Sequence, residues 1–277
     1  MLGAHLADNT YMTTYVDPAS ITFITALDPV RAEYVHETAD FVLHEVENTK
    51  YPVQWVIVED GPHSSWRPIA DDIWSKLDAV WDCQGAHAGV AAARTRGLAH
   101  ATGDLVFAMD GDDVVSPGMT DMIIDAFKAN PDAVAVAGVN SGIIGKPTPV
   151  QSIHVIKEGM ERRFEVDELP RSWISPFPFH PGLVVYRKDV LLRLNGWPAL
   201  AGGDDRALVF AANAFGPVIT TKIPVLSHRM WKNQIMSHDF YVTNRPVYQR
   251  LSWLFSDARL RHSTGEGLAG EPPSLPL

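Results

Sequence analysis

The sequence predicts an α/β domain with a mostly parallel central sheet flanked by helices. Apolar segments at 21–27, 53–58 and 105–109 alternate with segments of helical spacing. The continuous apolar run at 105–109 is typical of a strand buried on both faces of a parallel sheet, and the strand–helix alternation predicts parallel strands. Acids follow two of these strands directly, as Glu59-Asp60 and as the group from Asp110 to Asp113. Because open α/β sheets bind ligands at the carboxyl ends of their strands, these acids indicate a binding site.

Composition excludes several classes of protein. The chain has 277 residues and a net charge of -10, which argues against a nucleic-acid partner or an anionic membrane surface. Its one cysteine, Cys83, rules out an internal disulfide and argues against a structural zinc site. No apolar run approaches the roughly 18 residues of a membrane span, and the first twenty residues lack a signal-peptide core. The sequence therefore predicts a cytoplasmic protein, and it leaves the oligomeric state open.

The first half of the chain predicts repeated strand–helix units after an N-terminal arm at 1–20. Between the strands, helical spacing predicts helices at 31–47, 67–77 and 89–101, with a short strand at 79–81 and a loop at 85–89. Ser116-Pro117 predicts a helix start, with Ser116 as the N-cap, and the helix ends at Asn130.

The second half is less regular. Strands are predicted at 134–139, 153–156, 183–186 and 218–225, and helices at 188–194, 205–215 and 245–262. The proline-rich segment 173–181 and the polar segment 228–238 predict loops, and the tail from Ser263 predicts disorder. Without a repeat or a separate linker, we interpret the chain as one domain in two halves.

The acids at 110–113 suit a hard divalent cation. Alternate residues of an extended segment point the same way, so Asp110 and Asp112 converge on one point past the strand. Mg²⁺ and Mn²⁺ prefer such oxygen ligands and share phosphate oxygens with a substrate. An EF-hand is excluded because Val115 and Asp121 occupy positions that require Gly and Glu. The alternative is a solvated turn that caps the next helix, which is the interpretation we favour for Asp113.

Five segments together resemble a known family. Val58–Gly61, Gly89–Gly97, Asp110–Asp113, Gly182–Trp197 and Asp204–Leu208 resemble, in this order, the motifs of inverting family-two glycosyltransferases. The resemblance covers roughly residues 20–237 and implies a single Rossmann-like domain of the GT-A type. The chain departs from the family pattern at four positions. Glu59 replaces the usual aspartate and Pro62 the usual serine. Thr95 replaces the usual asparagine and Asp204 the usual glutamate.

The resemblance implies a donor site for a nucleotide-diphosphate sugar. Glu59 and Asp60 would lie by the base and ribose, and Arg94 by the base or the diphosphate. Asp110 would contact the ribose or assist the metal, and Asp112 would coordinate a Mn²⁺ or Mg²⁺ cofactor. Ala26 and Gly111 are also assigned to the nucleotide. A histidine after a late strand would contact the metal; we assign this role to His228, with His238 as the alternative.

The resemblance also implies an acceptor site. Asp205, or else Asp204, would be the catalytic base, and the other aspartate would cap the helix that follows. A platform for a small-molecule or glycan acceptor would contain aromatic and imidazole rings, although core packing explains the aromatic ones equally well: Trp173, Phe177, Phe179, His180 and Trp197. We therefore divide the chain into an arm (1–20), a nucleotide-sugar half (21–140), an acceptor and catalytic half (141–245) and a C-terminal helix with its tail (246–277).

These assignments predict a metal-dependent inverting glycosyltransferase that moves a sugar to an acceptor hydroxyl or amine. A metal neutralises the leaving diphosphate, and a carboxylate takes the acceptor proton. The main alternative is a phosphatase of the haloacid dehalogenase type, with Asp110 as nucleophile and Asp112 as general acid. That alternative leaves Glu59, Asp60 and Arg94 without a role. A third hypothesis is a nucleotide-sugar-binding module without catalysis.

Overall fold

The structure is a computed structural model that describes residues 15–28, 33–62, 76–145, 161–171, 177–230 and 239–264. These residues form nine strands: β1 (Ile21–Leu27), β2 (Val53–Glu59), β3 (Asp78–Cys83), β4 (Leu105–Asp110), β5 (Val114–Val115), β6 (Ala135–Gly145), β7 (Arg162–Phe164), β8 (Val184–Arg187) and β9 (Val218–Met230). They also form seven α-helices: α1 (Val35–Asn48), α2 (Val90–Leu98), α3 (Met119–Ala129), α4 (Glu168–Arg171), α5 (Lys188–Arg193), α6 (Asp204–Asn213) and α7 (Asp239–Thr264).

All nine strands belong to one sheet, in the order β3-β2-β1-β4-β8-β6-β9-β5, with β7 paired to β9. The first four of these strands are mutually parallel. From β1 the chain goes first to β2 on one side and later to β4 on the other, so a crevice opens at the carboxyl ends of β1 and β4. The register places Ala26 beside Asp110 and Leu27 beside Glu59 in this crevice.

The second half of the sheet is mixed. β8 is antiparallel to both β4 and β6, whereas β6 and β9 are parallel. β5 and β7 both pair antiparallel with β9. The predicted α/β domain with a central sheet and flanking helices is therefore confirmed, with its parallel strands concentrated in the N-terminal half.

Two apolar layers cover the two faces of the sheet. Phe23, Trp55 and Phe107 point into one layer, together with residues of α1 and α3. The alternate residues Ile24 and Val106 point into the other layer, together with residues of α2, α5 and α6. This alternation explains why the central strands are mainly apolar, since both of their faces are buried. The polar exceptions Thr22, Thr25 and Gln54 are buried and hydrogen-bonded.

The start of α3 differs from the prediction. Gly118, at a φ of 76°, is the N-cap, whereas the hydroxyl of Ser116 hydrogen-bonds to the Ser141 hydroxyl. The carboxylate of Glu45, buried on α1, accepts hydrogen bonds from the backbone N–H groups of Gly118 and Thr120, both at 2.7 Å. A side chain more than seventy residues away therefore satisfies this helix end, which a local sequence pattern does not reveal.

Other differences concern the ends of elements. β9 continues to Met230, so His228 is a strand residue and does not belong to the predicted loop. The short strands β5 and β7 were not predicted. The predicted strand at 153–156 and nearly all of the predicted helix at 67–77 lie outside the described residues. Within the described part of the chain, no helix is long and apolar enough to cross a membrane.

Candidate active site

The acids after β4 form a compact oxygen cluster. One carboxylate oxygen from each of Asp110, Asp112 and Asp113 lies within 4.8 Å of the other two. The side chain of Asp110 is 49% exposed at the crevice, whereas Asp113 is buried. Oxygen ligands in this arrangement suit Mg²⁺ or Mn²⁺, and the more accessible carboxylates are those predicted as ligands.

Asp113 anchors this turn to the end of β9. Its carboxylate accepts a hydrogen bond from the Arg229 backbone N–H at 2.9 Å and lies 3.1 Å from His228 Nδ1. Arg229 Nε donates to the Asp112 carbonyl oxygen at 2.8 Å. The structural role predicted for Asp113 fits these contacts.

His228 lies beside the metal cluster, and Asp113 engages its Nδ1 atom. Burial lowers the pKa of His228, but the hydrogen bond and the charges of nearby carboxylates outweigh this effect and raise the pKa to about 9. A protonated imidazole has no lone pair for a metal, so ligation by His228 requires loss of that proton. His238, the alternative histidine, lies outside the described residues.

Arg94 joins the two halves of the site. Its side chain, only 7% exposed, places Nη2 at 3.0 Å from Asp110 Oδ1 and Nη1 at 2.8 Å from Asp205 Oδ1 and 3.4 Å from Asp204 Oδ2. Burial lowers the pKa of Arg94, but the three carboxylates outweigh burial and raise the pKa above its usual range. The prediction put Arg94 at the base or diphosphate; in the structure its guanidinium is held among carboxylates.

Close packing of α2 on the sheet brings Arg94 to this position. A Cβ atom at Gly97 would lie 2.6 Å from Cγ2 of Ile24, so a larger residue would push the helix away from β1. Asp60 fixes the start of the same helix, because its carboxylate accepts hydrogen bonds from the N–H groups of Ala88 at 2.8 Å and Gly89 at 3.0 Å. Asp60 thus shapes the loop before α2, while the neighbouring Glu59 is buried at the end of β2.

The two candidate bases occupy the first turn of α6. The prediction made one of these two aspartates the N-cap of the helix. In the structure the N-cap is Gly203, at a φ of 76°, so this prediction is wrong. The Asp205 side chain is 29% exposed and that of Asp204 is 9% exposed. Burial, reinforced by the charge of Asp205, raises the pKa of Asp204 to about 7.

A short 3₁₀ turn at Pro181–Leu183 lies against Asp205. A Cβ atom at Gly182 would lie 3.9 Å from Asp205 Oδ2 and 3.2 Å from His180 Nδ1. The missing side chain of Gly182 therefore leaves space between His180 and the candidate base. The imidazole of His180 also accepts the Gly182 backbone N–H, at 3.2 Å.

The predicted aromatic platform is largely part of the core. Phe179 and Trp197 are buried, and Phe177 packs edge-on against Phe179 and Phe210. The Trp197 backbone N–H donates to Thr95 Oγ1 at 2.9 Å, which ties the segment after α5 to α2. Core packing thus accounts for these three rings, and Trp173 lies outside the described residues.

Sequence reasoning missed two side chains near the site. Arg229 hydrogen-bonds to the Asp112 carbonyl oxygen and pairs with Glu37 of α1. In the sequence, only its position directly after His228 indicated that it lies near the site. Tyr186 lies buried on β8 below α2 and α6, where its alternation with Val184 indicated only a core residue. Both depend on strand pairings between distant segments, which the sequence pattern does not specify.

The fold is of the GT-A type. The chain belongs to glycosyl transferase family 2, whose sequence profile matches residues 29–194, more than half of the chain. This membership disagrees with the phosphatase alternative, in which Asp110 would be a nucleophile.

One protein similar to this chain in sequence is named as a sugar transferase. It is 35% identical over 177 residues to the glucosyl-dolichyl phosphate glucuronosyltransferase of Haloferax volcanii, a match that covers 62% of this chain and 53% of that protein. The chain thus spans about half the length of this curated relative.

Two solved structures have a similar fold. S. aureus TarS 1-349 in complex with UDP-GlcNAc is 15% identical, with a TM-score of 0.64, over 88% of this chain and 67% of that one. The mannosyltransferase PcManGT of Pyrobaculum calidifontis, in complex with GDP-Man and Mn²⁺, is 18% identical, with a TM-score of 0.57, over 93% of this chain and 66% of that one.

Proposed function

We propose that this glycosyltransferase is metal-dependent and inverting, and that it moves a sugar from a nucleotide-diphosphate donor to an acceptor hydroxyl or amine. The observation that carries the proposal is the position of Arg94, whose guanidinium contacts Asp110 of the predicted donor site and Asp205 of the predicted base pair. Residues more than ninety positions apart thus meet at one crevice. A donor and an acceptor bound there would be adjacent.

On the donor side, Asp110 and Asp112 would hold the divalent cation, with Asp113 orienting the turn from behind. The donor set fits such an ion because its ligand atoms are carboxylate oxygens at an accessible strand end. When bound, Mn²⁺ or Mg²⁺ would neutralise the charge of the leaving diphosphate. His228 remains a predicted contact to the metal or diphosphate, and Ala26, Glu59, Asp60 and Gly111 remain predicted to line the nucleotide pocket.

On the acceptor side, we assign the base role to Asp205. It is more exposed than Asp204, and it borders the space that Gly182 leaves open. Its carboxylate would take the proton from the acceptor hydroxyl or amine as the acceptor attacks the anomeric carbon. Asp204 is the less suitable base because its side chain is only 9% exposed, which limits its access to an acceptor.

Direct attack explains why the site needs no nucleophile. The acceptor oxygen or nitrogen forms a bond to the anomeric carbon on the face opposite the leaving group, and the bond to the diphosphate oxygen breaks, which inverts that carbon. Cys83, the only cysteine, donates its S–H to the Gly61 carbonyl at 3.0 Å, which fits a structural role. The donor-side aspartates Asp110 and Asp112, the acceptor-side Asp205, and Arg94 between them would supply the polar groups for this reaction.

The relatives suggest which substrates to test first. The Haloferax volcanii relative is named as a glucuronosyltransferase that acts on glucosyl-dolichyl phosphate, and the TarS and PcManGT structures contain UDP-GlcNAc and GDP-Man. We therefore propose UDP and GDP sugars as donors, including a glucuronosyl donor. The acceptor would be a small molecule or glycan, and a lipid-phosphate-linked sugar is the acceptor to test first.

Calorimetry and a transfer assay test this proposal. We expect one of the UDP, GDP or dTDP sugars to bind with Mn²⁺ or Mg²⁺, and Asp112→Ala to weaken that binding. We expect Asp205→Asn to lower transfer roughly 10²- to 10⁴-fold while donor binding persists. Asp78→Asn, a change at an exposed residue at the start of β3, serves as the control.

Three results would contradict the assignment. Full activity of Asp205→Asn would remove Asp205 from the base role and leave Asp204 as the candidate. Binding that is unaffected by chelation of the cation would contradict metal dependence. A product that retains the anomeric configuration, observed by NMR, would contradict direct attack.

A further inference from the structure

Two polar atoms at or beneath the cluster of Asp110, Asp204 and Asp205 make no hydrogen bond to any described residue. They are the hydroxyl of Tyr186 and the Nε–H of Arg94, and both are buried. A buried polar group without a partner costs free energy, so its presence at a site suggests a role there. The two atoms are also chemically complementary, since Arg94 Nε is only a donor and the phenol oxygen accepts.

The strand register places the two side chains in the same layer. Tyr186 pairs with Val106 of β4 and with Ala135 of β6, and its ring lies in the apolar layer that α2 and α6 cover. Arg94 extends from α2, and Asp205 begins α6. Tyr186 therefore lies beneath the cluster, and burial together with the charge of Asp205 raises its pKa, so the hydroxyl keeps its proton.

We propose that Tyr186 is a positioning residue for Arg94 and that its oxygen accepts the Arg94 Nε–H during turnover. In the structure, the guanidinium faces the three carboxylates and holds Asp205 at 2.8 Å. If Asp110 turns towards a bound donor, Arg94 loses one of its partners and retracts onto Tyr186. This movement would release Asp205 to accept a proton. The inference rests on the proposed function of Asp205.

This arrangement predicts opposite effects on stability and on catalysis. In Tyr186→Phe the unpartnered hydroxyl disappears, so we expect Tm in the absence of ligands to rise by roughly 2–4 °C. Arg94 would then have no acceptor for its Nε–H when it moves away from Asp205. We therefore expect kcat to fall roughly 10- to 100-fold with KM nearly unchanged. A residue with only a packing role would not combine these two effects.

Tyr15→Phe is a matched control. The Tyr15 hydroxyl is also buried without a hydrogen-bond partner among the described residues, but its ring stacks on Arg187, away from the cluster. We expect a similar rise in Tm and no change in kcat. Arg94→Lys keeps the charge but lacks Nε, so we expect it to lower kcat without raising Tm.

A readout that needs no turnover completes the test. The Arg94 Nε–H signal, followed by ¹⁵N NMR in the wild type, should exchange more slowly with solvent after Mg²⁺ and a nucleotide diphosphate are added, and this protection should be absent in Tyr186→Phe. A fall in Tm of the free Tyr186→Phe variant, or equal protection in both proteins, would overturn the inference. If no nucleotide binds, the proposed function is contradicted. The Tm comparison would still test whether the Tyr186 hydroxyl lacks a partner in the free protein.

Discussion

The buried position of Arg94 gives a sharp test of how this site is held together. Replacing Arg94 by Met keeps much of the side-chain stem and removes the charge. Three carboxylates would lose their shared cation, and Asp204 and Asp205 are well covered, at 9% and 29% side-chain exposure. Removing one partner of a buried ion pair typically costs about 3–5 kcal/mol.

Solvent screening moves the expected cost to the lower end of that range. Asp110 is 49% exposed, so water compensates for much of its lost interaction. We expect a loss of about 3 kcal/mol in the free energy of unfolding at pH 8, or a fall in Tm of roughly 6–12 °C. At pH 5.5 the loss is smaller, because Asp204, with a pKa of about 7, is then protonated and leaves no stranded charge.

Urea unfolding followed by circular dichroism at the two pH values measures these changes. Arg96→Met is the matched control, because Arg96 lies on the same helix, is 47% exposed and pairs with Asp82 at the surface. Exposed pairs contribute about 0–1 kcal/mol, so we expect little change. Equal losses for the two variants, or a loss for Arg94→Met that does not depend on pH, would refute this account of the cluster.

Two further predictions concern pH and helix capping. The folded-state pKa of Asp204, about 7, lies above its ordinary value of 3.8, so its stabilising contribution is complete below pH 3.8 and is lost as pH rises through 7. Unfolding midpoints should therefore fall between pH 4.5 and 8 in the wild type and less steeply in Asp204→Asn; parallel curves would contradict the burial of this charge. Glu45→Gln should lower the free energy of unfolding by about 1–2 kcal/mol, because it weakens the cap of α3. Glu47 is exposed on the same helix as Glu45, so Glu47→Gln should leave the urea midpoint unchanged. Equal midpoints for both variants would contradict the cap.

The sequence by itself determined the strand–helix order and the positions of the acids. The continuous apolar segment of β4 indicates burial on both faces, and the alternation of strands and helices around β1 and β2 predicts parallel strands with acids at one edge. The prediction matched β1 residue for residue, at Ile21–Leu27. It also put Asp110 and Asp112 at the edge where ligands bind, because these acids directly follow a buried strand of an open sheet.

Tertiary structure alone decided which of these groups meet. The contact of Arg94 with Asp110 and Asp205 depends on how α2 and α6 pack on the sheet, and the cap of α3 by Glu45 depends on how α1 lies beside it. Burial separated Asp204 from Asp205, although the two are neighbours in sequence. Periodicity specifies which face of an element is apolar, but contacts between distant side chains follow from strand order and register, which short-range patterns do not encode.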